Sequence, residues 1–133
     1  MVVDEAINRG DKKRLLGFNI NEKPVALQLG GSSPKLLSEA SKLGEDFGYD
    51  EINLNLGCPS RKVEKSKFGA CLMKEPNLVA DCLSKMQAST SLPVTIKTRI
   101  GYDTVDVGII IAKEVPTAKC IIYCWSIPSW PKI

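Results

Sequence analysis

Cys58 stands between Gly57 and Pro59, directly after the alternating segment Glu51-Ile-Asn-Leu-Asn-Leu56. A free cysteine thiol, with an ordinary pKa of about 8.5, is mostly protonated at neutral pH. Such a group suits proton donation better than nucleophilic attack, and no residue near Cys58 in sequence activates it as a thiolate. Histidine is absent, which excludes Ser/His and Cys/His catalytic pairs and any His-ligated metal site. The five cysteines (Cys58, Cys71, Cys82, Cys120 and Cys124) are odd in number and contain no Cys-x-x-Cys pair. Neither a zinc ribbon nor a complete disulfide framework is expected, and no metal is assigned. Cys71 and Cys82 read as small buried apolar residues.

Three further polar residues sit where a parallel sheet wants apolar ones. Side chains alternate along a strand. Val25, Leu27 and Leu29 therefore oppose Gln28; Ile52, Leu54 and Leu56 oppose Asn53 and Asn55; Val94 and Ile96 oppose Thr95, Lys97 and Arg99. Gln28, Asn55 and Lys97 can thus share one face near the carboxyl ends of their strands. An unpaired buried amide costs about 1–3 kcal/mol, and an unpaired charge more. A ligand at the carboxyl edge, where α/β sheets and (β/α)8 barrels place their sites, accounts for the three. The competing reading is that they end in solvent or pair with one another.

The segment after Cys58 runs Ser60-Arg-Lys-Val-Glu-Lys-Ser-Lys67, with four basic residues in eight. It reads as a long polar loop, solvated or in contact with phosphate. Gly30-Gly31 lacks the Walker spacing and the G-x-G-x-x-G fingerprint, so it reads as a turn between strand and helix.

These residues need strands and helices to position them. Residues 1–23 are polar and mixed, and read as a surface loop or short helix. Residues 24–29, 51–56 and 92–98 read as strands. Between them, Leu36, Leu37, Ala40, Leu43 and Phe47 recur at helical spacing, as do Leu78, Val79, Cys82, Leu83 and Met86. Ser33 suits a helix cap, and Pro34 and Pro76 suit first turns. The order is β-α-β-α-β. The long crossovers make the strands parallel, with helices near 34–47 and 76–88 on one side and strand 51–56 central. Residues 104–133 change character, broken by Pro116, Pro128 and Pro131, with one strand expected near 119–125.

The 133 residues are 44% hydrophobic and 25% charged, with a net charge of +3. Such a chain supports a core, and its small positive excess does not by itself indicate nucleic acid. No apolar run approaches the roughly 20 residues of a membrane span. Asp4 and Glu5 near the start do not suit a signal peptide. Free thiols in a reducing intracellular compartment are the expectation.

Pro24-Val-Ala-Leu-Gln-Leu-Gly-Gly31, Asp50-Glu-Ile-Asn-Leu-Asn-Leu-Gly-Cys-Pro-Ser60, Phe68-Gly-Ala-Cys-Leu-Met73 and Pro93-Val-Thr-Ile-Lys-Thr-Arg-Ile-Gly101 resemble tRNA-dihydrouridine synthases, most closely the A-type subfamily. The resemblance covers about residues 1–103. It implies an FMN enzyme on a (β/α)8 barrel, of which this chain is a partial unit followed by a divergent tail, 104–133. It further implies NADPH as reductant and, as partner, tRNA whose D-loop uridine is flipped out for reduction. Cys58 then falls in the role of general acid, protonating C5. Asn55 matches a residue that places the base, and Gln28 and Lys97 match flavin-ring contacts. Arg99 matches a substrate-side residue, and Lys62 and Lys65 are assigned to tRNA.

A (β/α)8 barrel takes about 250 residues. The family's Pro-Met first strand, His-Ala-Arg motif, Gly-rich phosphate loops and helical tRNA-binding domain have no counterpart in these residues. The expectations are a poor enzyme in isolation and self-association through two unpaired sheet edges. A non-catalytic interaction protein that keeps the β-α-β-α-β unit is the alternative. A small thiol-redox protein is a weaker one, given the missing Cys-x-x-Cys. Gln28, Asn55, Cys58 and Lys97 are expected to cluster at the carboxyl edge, with Cys71 near a helix start and more buried than Cys58.

Overall fold

The structure is a computed structural model that describes residues 1–99 and 121–125. Five strands form one all-parallel sheet in sequence order: β1 (Val2–Val3), β2 (Ala26–Gly30), β3 (Glu51–Asn55), β4 (Val94–Arg99) and β5 (Ile121–Trp125). β3 is central, with a helical crossover on either side of it.

Two helices make those crossovers. In α3 (Pro34–Asp46) the Ser33 hydroxyl accepts the Leu36 N–H and Pro34 opens the first turn. Its buried face is Leu37, Ala40, Ser41 and Gly44. In α5 (Pro76–Ser89), Val79, Cys82, Leu83 and Met86 are buried. Both helices cover the same side of the sheet, against Leu27, Leu29, Ile52, Leu54, Val94 and Ile96. Gly44 permits that approach, since a Cβ there would lie 2.6 Å from Ile52 Cδ1.

Residues 1–23 hold more order than their polarity suggests. β1 pairs with β2 (Val3 opposite Gly30), followed by α1 (Asp4–Arg9) and α2 (Lys12–Leu16). Leu16 is buried, and its carbonyl accepts the Tyr49 hydroxyl at 3.0 Å. A two-residue edge strand is too short to show a period, which is why the sequence hides it.

The long polar loop expected after Cys58 is instead a short helix, α4 (Arg61–Lys65), followed by a 3₁₀ segment, Gly69–Lys74. The Ser60 carbonyl accepts the Glu64 N–H, and Val63 turns inward into the core. One apolar residue among basic ones is enough to anchor a single turn. Cys71 lies near the start of the 3₁₀ segment, as expected, and both it and Cys58 are half-buried. Of the 104–133 tail, residues 121–125 form the strand expected there; the other expectations for the tail lie outside the described residues.

Candidate functional site

The face of the sheet away from α3 and α5 carries the polar side chains. Gln28 sits in register with Asn53, Asn53 with Thr95, and Asn55 with Lys97. Gln28, Asn53 and Thr95 therefore form one row, and Asn55 and Lys97 the next row toward the carboxyl edge. The expectation that Gln28, Asn55 and Lys97 share one face holds at the level of the backbone.

The amides bond to each other. Gln28 Nε2 donates to Asn53 Oδ1 at 2.8 Å, and Asn55 Nδ2 donates to Gln28 Oε1 at 3.0 Å. The competing reading of the sequence, mutual pairing, is thus realised in part. It does not exhaust the groups: an amide nitrogen carries two protons and an amide oxygen two lone pairs. Lys97 is exposed, and Gln28 is half-buried. Asn53 and Thr95 were legible only as same-face residues, and Glu51, whose carboxylate accepts the Thr95 hydroxyl at 2.5 Å, gave no signal.

Cys58 is fixed through its main chain. Asn55 Oδ1 accepts both the Gly57 N–H (3.1 Å) and the Cys58 N–H (3.0 Å), while the Cys58 carbonyl accepts the Ala70 N–H at 3.0 Å. Gly69 makes that second contact possible. Its φ is +75°, and a Cβ there would lie 2.5 Å from Val63 Cγ1 and 2.7 Å from the Cys58 oxygen. The Cys58 peptide is held on both sides at the carboxyl edge of the central strand. Arg99 Cγ lies beside Gly57, since a Cβ on that glycine would be 3.5 Å from it. α4 carries Lys62 and an exposed Lys65; the Lys62 side chain lies outside the described residues.

The other thiols differ in chemistry. Burial pushes the Cys82 thiol up to about 12, helped by the Asp81 and Asp4 carboxylates. Burial also raises Cys71, with Glu64 and Glu75 adding to it, and the Cys71 thiol donates to the Phe68 carbonyl. Neither is suited to attack as a thiolate. Among the described residues no group of three or more Cys, Asp or Glu side chains is placed to hold a metal ion.

The dihydrouridine synthase family model matches residues 1–118. The chain belongs to that family. Members fold as (β/α)8 barrels, and the parallel sheet with its two outer helices is a partial barrel. The tRNA-dihydrouridine(20/20a) synthase of Synechocystis sp. (strain ATCC 27184 / PCC 6803 / Kazusa) is 58% identical over 103 residues, 77% of this chain and 31% of the relative. Those named alike from Xanthomonas campestris pv. campestris and Vibrio cholerae serotype O1 are 57% and 56% identical, each over 80% of this chain and 32% of the relative. The chain spans about a third of the length of these curated relatives.

A flavin is the cofactor typical of this family. The inner-face residues fit its ring. Gln28 retains one amide proton and one oxygen lone pair, and the Lys97 ammonium lies on the same face in the row nearer the carboxyl edge. That set matches the alternating carbonyl and N–H edge of a flavin pyrimidine.

Proposed function

We propose that this chain contributes the general acid and the ring-binding amides of an FMN-dependent tRNA-dihydrouridine synthase. The observation that supports this reading is the clamp on the Cys58 peptide, which fixes a thiol at the carboxyl edge one strand from Lys97. When bound, FMN supplies the hydride that adds to C6 of the uridine ring, with NADPH as its reductant. Cys58 Sγ gives its proton to C5, and the resulting thiolate regains one from water, so one hydride and one proton saturate the C5–C6 bond. Asn55 orients the base. Gln28 and Lys97 hold the flavin ring, and the Lys97 ammonium favours the anionic reduced form. Arg99, beside Gly57, and Lys62 and Lys65 on α4 meet the tRNA, whose D-loop uridine is extruded toward this edge.

The test replaces the matching segment of the Synechocystis relative with residues 1–99 and assays dihydrouridine in unmodified tRNA. Product that depends on Cys58 supports the reading. Product of equal yield from the Cys58→Ala graft contradicts it.

A further inference from the structure

Six hydrogen bonds on the inner face join into one chain, and all point the same way. The Gly57 and Cys58 N–H groups donate to Asn55 Oδ1. Asn55 Nδ2 donates to Gln28 Oε1, Gln28 Nε2 to Asn53 Oδ1, and Asn53 Nδ2 to Thr95 Oγ1 at 2.7 Å. The Thr95 hydroxyl donates to Glu51 Oε1. The chain runs the height of β3, from Glu51 at its start to the Cys58 loop beyond its end.

Its two ends leave no freedom in the middle. Backbone N–H groups only donate, and an ionised carboxylate only accepts. Reversing the Asn55 amide would set its NH₂ against two N–H donors and its oxygen against Gln28 Oε1. Reversing all three amides keeps the clash of the Asn55 NH₂ with the two N–H groups and adds a second conflict at Thr95, whose hydroxyl would donate to Asn53 and turn its lone pairs on Glu51. Thr95 has another acceptor within reach, the Ile52 carbonyl, but at 3.5 Å it does not compete with the 2.5 Å contact to Glu51. We infer that Glu51, acting through Thr95 and Asn53, is a positioning residue that fixes which atoms Gln28 and Asn55 present to a ligand.

The consequence for the site follows from counting atoms. Asn55 Oδ1 is committed to two backbone N–H groups, so Asn55 offers a ligand only its second Nδ2 proton. It selects an acceptor, such as a ring carbonyl oxygen. Gln28 keeps one proton and one lone pair and pairs with an acceptor and a donor side by side. This functional meaning rests on the reading of the site given above; the polarity of the chain does not.

The test is nuclear magnetic resonance on the full, isotopically labelled 133-residue protein without flavin or tRNA. Couplings across hydrogen bonds are expected from Asn55 Nδ2 to the Gln28 side-chain carbonyl carbon and from Gln28 Nε2 to that of Asn53. Couplings in the opposite sense overturn the inference. In Thr95→Val the hydrogen exchange of the Gly57 and Cys58 N–H groups should rise about tenfold. The ladder N–H groups of Ile52 and Leu56, bonded to Pro93 and Lys97 carbonyls, should keep their rates. Thr95→Ser should restore protection. No rise, or an equal rise throughout the ladder, overturns the inference. Because no catalysis is measured, loss of the relay and loss of the Cys58 role are separate outcomes.

Discussion

Asn55 Oδ1 accepts the Cys58 backbone N–H at 3.0 Å and the Gly57 N–H at 3.1 Å, so one side chain shapes the turn that carries the thiol. Asn55→Ala leaves both N–H groups and the Gln28 oxygen without their partner. A lost partner of this kind costs about 1–3 kcal/mol. Urea unfolding of the 133-residue chain should show that loss, and an unchanged midpoint would remove Asn55 from the account.

Gly69 and Gly48 separate two costs. Both have positive φ, +75° and +87°, but a Cβ at Gly48 meets nothing within 4 Å. Gly48→Ala should cost only backbone strain, about 1 kcal/mol. Gly69→Ala adds the clash with Val63 and the Cys58 carbonyl, for about 1–3 kcal/mol more. Equal effects in thermal unfolding would mean that the 3₁₀ segment is not seated on the Cys58 loop.

The alternation of Gln28, Asn55 and Lys97 against apolar neighbours makes the polar face legible in the sequence, because a period of two survives in five or six residues. The helices were equally legible from their apolar spacing and their capping Ser33 and prolines. Glu51 was not. It looks like a solvated strand end, and only the register that sets Asn53 against Thr95 shows what its carboxylate accepts. The helical turn at 61–65 was hidden for a related reason: Val63 alone among basic residues gives no period, and its burial comes from the fold around it.

Cys82 should make the protein alkali-sensitive. Burial holds its thiol neutral in the folded state up to about 12, whereas in the unfolded chain it ionises near 8.5. Its folded pKa is raised, so its contribution is fully present below about pH 8.5 and is lost as pH rises toward 12. Unfolding midpoints measured from pH 8 to 11 should fall for the wild type and fall less for Cys82→Ala. Parallel curves would contradict this.

Lys97→Met, in the graft of residues 1–99 into the Synechocystis relative, should weaken flavin retention. A hydrogen bond from a charged donor contributes about 1.5–3 kcal/mol, so about tenfold to a hundredfold is expected in the dissociation constant. Titration of the apoprotein followed by flavin fluorescence reads it. Unchanged affinity would take Lys97 away from the ring.

The role of Cys58 is tested most directly by single turnover in that graft, comparing wild type with Cys58→Ala. General acid catalysis is worth about 10² to 10⁴ in rate. The account predicts that NADPH bleaches the flavin equally fast in both. It predicts that reoxidation of the reduced flavin by unmodified tRNA, with matching appearance of dihydrouridine, slows at least a hundredfold in Cys58→Ala. Reoxidation by tRNA at the wild-type rate without the thiol would contradict it.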